Sequence, residues 1–283
     1  MKPAPFDYLR VDAVEQALEA LQACGEDARI LAGGQSLMAV LNMRLAQPRV
    51  LVDISRTAGL RFQTRDATHL RVGAGATQAE VEWRPALREE VPLLALAFPN
   101  ISHFQVRNRG TVCGSIAHAD PSAELPLVLS VLGGDVVLRS VRRQRTLAAA
   151  DFFAGMLLTA READELVEAV RFPLRKPDTG YAFTEHSARH GDFALVAAAA
   201  MVSADAITLG IGGVADRPVV ERWPLLDGDA LRDAINDFAW QLGAQDDARI
   251  SARYRRHLVR ELGARVVAEA RTDASANRTR RQA

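Results

Sequence analysis

Residues 101–121 carry no sustained helical or strand period, although periodic segments stand on both sides of them. Connections in compact domains usually run about 4–6 residues, so an aperiodic stretch of this length inside a globular chain reads as a binding loop. Its interior, Arg109-Gly110-Thr111-Val112-Cys113-Gly114-Ser115, is punctuated by glycine, rich in hydroxyls and free of acidic residues. Successive backbone N–H groups in such a segment form an anion-binding nest. The plainer alternative is a turn within a loop.

A second glycine segment, Ala32-Gly33-Gly34-Gln35-Ser36, lies between a strand expected over 29–32 and a helix marked by Leu37, Met38, Leu41 and Leu45. Paired glycines let the backbone turn tightly and approach a ligand. The helix start behind them offers free N–H groups and a positive dipole end, which suits a phosphate. The alternative is an ordinary turn with Ser36 as N-cap. The segment is neither a phosphate loop, which requires Gly-Lys-Ser/Thr, nor the dinucleotide fingerprint G-x-G-x-x-G. Two such loops in one domain suit a pyrophosphate held from two sides, and hence a dinucleotide. Asp120 and Glu124 then become acceptors for ribose or ribityl hydroxyls. Alternatively, Asp120-Pro121-Ser122 opens the helix expected over 125–132, with Glu124 favouring its dipole.

Periodicity supplies the rest of the outline. Asp12 with Glu15 reads as a capping box for a helix whose apolar face is Val14, Ala17, Leu18 and Leu21, ended by Gly25. Strands are expected over 50–54, 70–74 and 166–172, and a hairpin over 135–147. Thr77 with Glu80 caps another helix, and Pro85 starts a short one. The prolines within 171–179 suggest a domain boundary. Beyond it, 193–202 and 207–211 read as two strands of an antiparallel sheet, followed by helices over 230–242 and 252–270. The polar, Arg-rich tail from Thr272, with Arg278, Arg280 and Arg281, reads as disordered.

Composition removes other chemistries. The formal net charge is zero, so no global field favours nucleic acid or an anionic membrane. No apolar run approaches the roughly 20 residues that span a bilayer. The start, Met1 to Asp7, does not suit a signal peptide, and a cytoplasmic chain is expected. Two cysteines, Cys24 and Cys113, are too few for an iron–sulfur cluster. The two lysines, Lys2 and Lys176, leave no good phosphate-loop or Schiff-base candidate. Six histidines show no metal-ligand spacing beside cysteine, and His186 with His190 lacks H-E-x-x-H. No G-x-S-x-G elbow is present, and Cys113 reads as a small packed hydrophobe. No catalytic residue and no metal ligand is expected.

At its glycine loops the chain resembles the FAD-binding medium subunit of the molybdenum hydroxylases, the group of the carbon monoxide dehydrogenase flavoprotein and the xanthine dehydrogenase FAD subunit. The matching stretches are Ala32-Gly33-Gly34-Gln35-Ser36-Leu37, then Val106-Arg107-Asn108-Arg109-Gly110-Thr111-Val112-Cys113-Gly114-Ser115, then Ala117-His118-Ala119-Asp120-Pro121-Ser122-Ala123-Glu124-Leu125-Pro126. Asp151-Phe152-Phe153-Ala154-Gly155 and Tyr254-Arg255-Arg256-His257-Leu258 extend the match along nearly the whole chain.

The resemblance implies an α+β fold: a two-subdomain FAD-binding domain of the vanillyl-alcohol-oxidase (PCMH) type over 1–176, divided near 56/57, then a smaller α+β domain over 177–271 and a basic tail over 272–283. It implies FAD contacts at Ala32, Gly33, Gly34, Gln35, Ser36 and Leu37, and at Thr111, Val112, Cys113, Gly114 and Ser115. Asp120 would then face the ribityl or ribose region, and Ile101 and Phe183 would lie near the cofactor. Partner chains would hold two [2Fe–2S] clusters and a molybdenum-pterin cofactor, in a dimer of heterotrimers, with electrons leaving through FAD. A self-sufficient flavin reductase or oxidase of the same fold, and a non-catalytic scaffold subunit, are the rival readings. Two positions depart from the family pattern. Cys113 stands where many relatives have glycine, so its side chain must point away from the pyrophosphate. Glu185 stands where many relatives carry lysine, which bears on the charge beside the isoalloxazine.

Overall fold

The computed structural model describes residues 2–282, with side chains described through Thr279. The fold is α+β, as expected, and has three main sheets. The first is parallel, with Val50–Asp53 between Asp7–Arg10 and Ala28–Leu31. The helices Val14–Cys24 and Gln35–Asn42 connect these strands. Arg10 and Leu31 both stand opposite Asp53, so the carboxyl ends of all three strands open at one edge.

The second sheet is antiparallel, in the spatial order Gln63–Arg65, His69–Gly73, Leu166–Pro173, Asp135–Arg139, Gln144–Ala148. The helix Val112–His118 packs on its two central strands His69–Gly73 and Leu166–Pro173. The third sheet is an antiparallel meander of Gly180–Ser187, Ala194–Val202, Ala206–Gly212 and Val219–Pro224. Alternate side chains of a strand point to opposite faces. Here Tyr181, Ala197 and Ala199 enter the core of the first part of the chain. Ala182, Val196, Ala198 and Ala200 instead meet the helices Gly228–Gln241 and Ala252–Gln282. The alanine run Ala197–Ala200 thus serves two cores, and its small side chains let helices approach on both faces. Gly210 completes the fit: a Cβ there would lie 2.2 Å from Val131 Cγ2 of the helix Glu124–Leu132.

Several local expectations are corrected. The first helix starts at Val14, not behind an Asp12 cap. Gln16 Oε1 accepts from the backbone N–H groups of Asp12 and Ala13, closing the turn without the Asp12 carboxylate, while Glu15 pairs with Arg139. Pro85 does not start a helix, whereas Pro92 stands in the first turn of Pro92–Ala97. The segment expected to be disordered from Thr272 is helical through Gln282, while Ala283 lies outside the described residues. Its polar residues serve an edge strand: Asp273 Oδ2 accepts from the Tyr181 N–H at 3.1 Å, and Asn277 Nδ2 donates to the Thr179 carbonyl at 3.1 Å. Gly180 makes that docking possible, since a Cβ there would lie 1.9 Å from the Ala270 carbonyl oxygen.

Candidate cofactor site

The cleft forms where the parallel strands end. Ala28–Leu31 runs into Gly33 and Gly34, and Gly34 adopts φ +72° as it turns the chain into the helix Gln35–Asn42. That left-handed conformation favours glycine. Ser36 is therefore inside the helix and is not its cap. Leu31, Ala32, Gly33, Gly34, Gln35, Met38, Asp53, Ser55 and Arg109 line a cleft of ≈ 400 Å³. Asp53 brings a carboxylate to this edge, but the Tyr8 hydroxyl and the Ser55 N–H both donate to it. Burial pushes the Asp53 carboxyl up, and these hydrogen bonds more than offset it, so the group is held below the usual carboxylate range.

The second glycine loop lies directly against the first. A Cβ on Gly33 would lie 2.1 Å from the Arg109 carbonyl oxygen and 2.7 Å from Gly110 Cα. The two segments thus form one cradle whose junction has no room for a side chain. The Gln78 N–H donates to the Gly110 carbonyl at 2.7 Å, and Thr77 bridges to Thr111. Thr77 and Glu80 form the expected capping box, which fixes that end of the loop. Thr111 in turn caps Val112–His118, its hydroxyl accepting from the Gly114 N–H at 3.0 Å. That leaves the hydroxyl proton of Thr111 free to donate outward. Gly114 lies so close to Thr111 that a Cβ there would lie 2.6 Å from its Oγ1. Val112 and Cys113 turn into the core; the Cys113 thiol sits 3.4 Å from the Val72 carbonyl, and burial pushes it up. At both positions only backbone faces the cradle.

The far end of this short helix carries the acidic residues. Asp120 Oδ1 accepts from the Ser122 N–H at 2.8 Å, forming a local turn instead of capping the next helix, which starts at Glu124 behind Ala123. Glu124 is 7% exposed. Burial, with the Asp120 charge adding to it, pushes its carboxyl up to about 7. Glu185 joins this group from the strand Gly180–Ser187; burial and the Glu124 charge push it up to about 8. Phe183 lies two residues earlier on the same face and packs against the first core. Ile101 is buried, and its carbonyl accepts from Arg107 Nη1 at 2.8 Å. Arg107 also donates Nε and Nη2 to the two oxygens of Glu82, at 2.8 and 3.1 Å. That fork ties 101–107 to the helix Gln78–Glu82.

The structure therefore brings Ala32, Gly33, Gly34 and Gln35 together with Arg109 and the adjoining Thr111, while Asp120 and Glu124 follow the C-terminal end of Val112–His118 and Ile101 and Phe183 pack in the first core. Ser36 is exposed, and Leu37 and Ser115 are half-buried. Asp53, Ser55, Tyr8, Gln78 and the Arg107–Glu82 pair belong to the same region and were not anticipated. The parallel strands at 29–32 and 50–54 carried the missing signal for Asp53 and Ser55, because ligands bind outside the carboxyl ends of such strands. The His186–His190 spacing is not a paired site: the His186 ring instead meets the Tyr254 ring edge-on at 6.3 Å.

A dinucleotide fits these residues. The cradle has backbone where a side chain would block a diphosphate, Arg109 supplies positive charge, and the Asp53 carboxylate is already satisfied. Gln78 Oε1 is buried beside Gly110 with no hydrogen-bond partner among the described residues.

Comparison with known proteins agrees. Residues 4–175 match the family described as the FAD binding domain in molybdopterin dehydrogenase. The nicotine 6-hydroxylase medium subunit of Paenarthrobacter nicotinovorans is 37% identical over 95% of this chain and 99% of its own length. The caffeine dehydrogenase subunit beta of Pseudomonas sp. strain CBB1 is 32% identical over 95% and 96%. Among solved structures, reconstituted CO dehydrogenase from Oligotropha carboxidovorans superposes with a TM-score of 0.92 at 30% identity, covering 96% of this chain and 100% of that one. Quinoline 2-oxidoreductase from Pseudomonas putida 86 gives 0.89 at 32%, covering 97% and 99%. No helix of the described residues is long and apolar enough to cross a membrane. The chain belongs to the FAD-binding medium-subunit family of the molybdenum hydroxylases.

Proposed function

We propose that this chain is the electron-exit subunit of a molybdenum-containing hydroxylase and holds FAD with its diphosphate between Ala32–Ser36 and Arg109–Ser115. The observation that carries this reading is the backbone contact of Gly33 with Arg109 and Gly110, which makes one cradle of two loops far apart in sequence. FAD, when bound, would supply the redox chemistry that links an iron–sulfur partner to an external acceptor.

The chain's own residues bind and orient. The first N–H groups of the helix Gln35–Asn42 have no intrahelical partner and point toward the cleft with the positive dipole end. Arg109 neutralises phosphate charge, and the Thr111 hydroxyl donates to a phosphate oxygen. The Arg107–Glu82 fork holds Ile101 in place against the cofactor. Nothing in the cleft is arranged as an acid, base or nucleophile toward an organic substrate, so substrate choice falls to another chain. Relatives named for nicotine, caffeine and carbon monoxide support that division, since each uses a chain of this kind. The assembly is a dimer of heterotrimers with iron–sulfur and molybdenum-cofactor subunits. The chain works in the cytoplasm, where its two free cysteines stay reduced.

Titrating FAD into the purified chain tests the reading. One bound flavin per chain, no turnover alone, and flavin reduction by substrate only after the partner subunits are added would support it. Turnover by the isolated chain would identify a self-sufficient reductase or oxidase. Failure to bind FAD would identify a scaffold subunit.

A further inference from the structure

A diphosphate cradle has no use for a carboxylate, yet one stands in its wall. Asp53 ends the central strand of the parallel sheet, opposite Arg10 and Leu31, and lines the same cleft as Gly33, Gly34, Gln35 and Arg109. Its residue is 8% exposed, so the charge is largely withdrawn from water and needs hydrogen-bond donors. The Tyr8 hydroxyl donates to Oδ2, and the Ser55 N–H donates to Oδ1 at 2.8 Å. The Ser55 hydroxyl and the charge of Arg56 also favour the ionised form. A carboxylate offers about four acceptor sites over its two oxygens, so these donors fix its orientation and still leave it able to accept from a ligand. Stability alone does not call for this arrangement: Tyr8 is 56% exposed, and water can replace a hydrogen bond made there.

The chemistry of a dinucleotide decides what Asp53 can meet. Phosphate oxygens are anionic acceptors and repel it. The groups beside a diphosphate that donate are sugar hydroxyls, those of the ribose on one side and of the ribityl chain on the other. Phe183, which the family resemblance puts near the flavin, stands on the third sheet, whereas Asp53 stands on the first. The half of the cofactor over the parallel strands is then the adenosine half. A strand-end carboxylate that accepts from ribose hydroxyls is also the arrangement that open sheets of parallel strands use toward dinucleotides, outside their carboxyl ends.

We propose that Asp53 accepts hydrogen bonds from the ribose hydroxyls of the adenosine half of FAD, with Tyr8 and Ser55 as its positioning residues, and so makes the cleft select a dinucleotide over FMN. This rests on the FAD reading of the cleft. FMN has no ribose, so it gains nothing from Asp53. A hydrogen bond to a charged acceptor is worth about 10- to 100-fold in affinity. The carboxylate also repels the phosphates, so the informative quantity is the ratio of affinities for a ligand with and without its ribose hydroxyls.

The test is calorimetric titration of the full-length, flavin-free chain with FAD, FMN, ADP and 2′,3′-dideoxy-ADP. Wild type should bind ADP about 10- to 100-fold more tightly than the dideoxy form. Asp53→Asn should lose most of that ratio, and such non-additivity between protein and ligand changes marks a direct contact. Tyr8→Phe keeps the carboxylate, and its exposed position tolerates the change; it should narrow the ratio and leave dideoxy-ADP binding as it was. Equal binding of the two ADP forms by wild type, or a ratio unchanged in Asp53→Asn, overturns the ribose contact. An FMN affinity that falls in Asp53→Asn as far as that of FAD puts the carboxylate on the ribityl side and also overturns it. A wild-type chain that binds neither FAD nor ADP instead refutes the cleft reading, and the ribose contact falls with it.

Discussion

Adding one methyl group at Gly33 separates the two halves of the cradle. In Gly33→Ala the new Cβ would lie 2.1 Å from the Arg109 carbonyl oxygen and 2.7 Å from Gly110 Cα, both backbone atoms that cannot rotate away. Restoring even a short carbon–oxygen contact of about 3.3 Å moves the loops apart by roughly 1.2 Å. A hydrogen bond of about 2.9 Å stretched by that much is no longer one. Losing two bonds to the diphosphate, each worth about 1.5–3 kcal/mol because the acceptor is charged, costs roughly 3–6 kcal/mol. At about 1.4 kcal/mol per decade, FAD binds about 10²–10⁴-fold more weakly. The strain of overpacking lowers stability by a further 1–3 kcal/mol or so. Fluorescence titration and urea unfolding of the same samples separate the two effects. Gly59→Ala is the control, since its Cβ would meet only Val14 Cγ2, at 3.4 Å. A Gly33→Ala chain that loses stability yet binds FAD like wild type would show that the diphosphate does not lie at this junction.

Three further outcomes follow from the same geometry. Arg107→Ala leaves Glu82 unpaired and two carbonyls unmet; it should lower stability by about 3–5 kcal/mol in urea melts, and Arg107→Lys should restore only part of that, because an ammonium cannot make the two-point fork. Glu124 is raised in the folded chain, so its contribution is greatest below its unfolded pKa and is lost as pH rises through about 7. Unfolding at pH 5 and pH 8.5 should therefore show wild type losing up to roughly 3 kcal/mol that Glu124→Gln retains, and parallel losses in both would count against the buried charge. Asp273→Ala should cost about 1 kcal/mol and speed hydrogen exchange at the Tyr181 amide, with unchanged exchange arguing against the docked tail.

Much of this architecture was legible in the sequence where a period or a special residue marks it. The faces of Val14–Cys24, the strands Ala194–Val202 and Ala206–Gly212, and the Thr77 cap all follow from local pattern. The strands Asp7–Arg10 and Gly180–Ser187 did not, because their pattern does not alternate: the first is exposed throughout, and the second mixes Thr184, Glu185 and His186 into its half-buried end. The tail from Thr272 reads as polar and unstructured because its partners, Thr179 and Tyr181, lie more than 90 residues earlier. The same limit applies at the site. Gly33, Gly34, Gly110 and Gly114 advertise close backbone approach, but the chain does not say that the loops face each other. Tyr8 meets Asp53 across 45 residues, and Arg107 meets Glu82 across 25, so neither pairing has a local signature. Glu185 stood out only as a departure from a family pattern; its neighbour Glu124, 61 positions earlier in the chain, has no local signature.

The most direct test of the account is a crystal structure of the chain loaded with FAD. The account predicts the diphosphate against Gly33, Gly34 and Thr111, with the flavin ring toward Ile101, Phe183 and Glu185. Diphosphate density away from that cradle, for example in the cleft lined by Ser251, Arg253, Tyr254, His257 and Arg260, would contradict it.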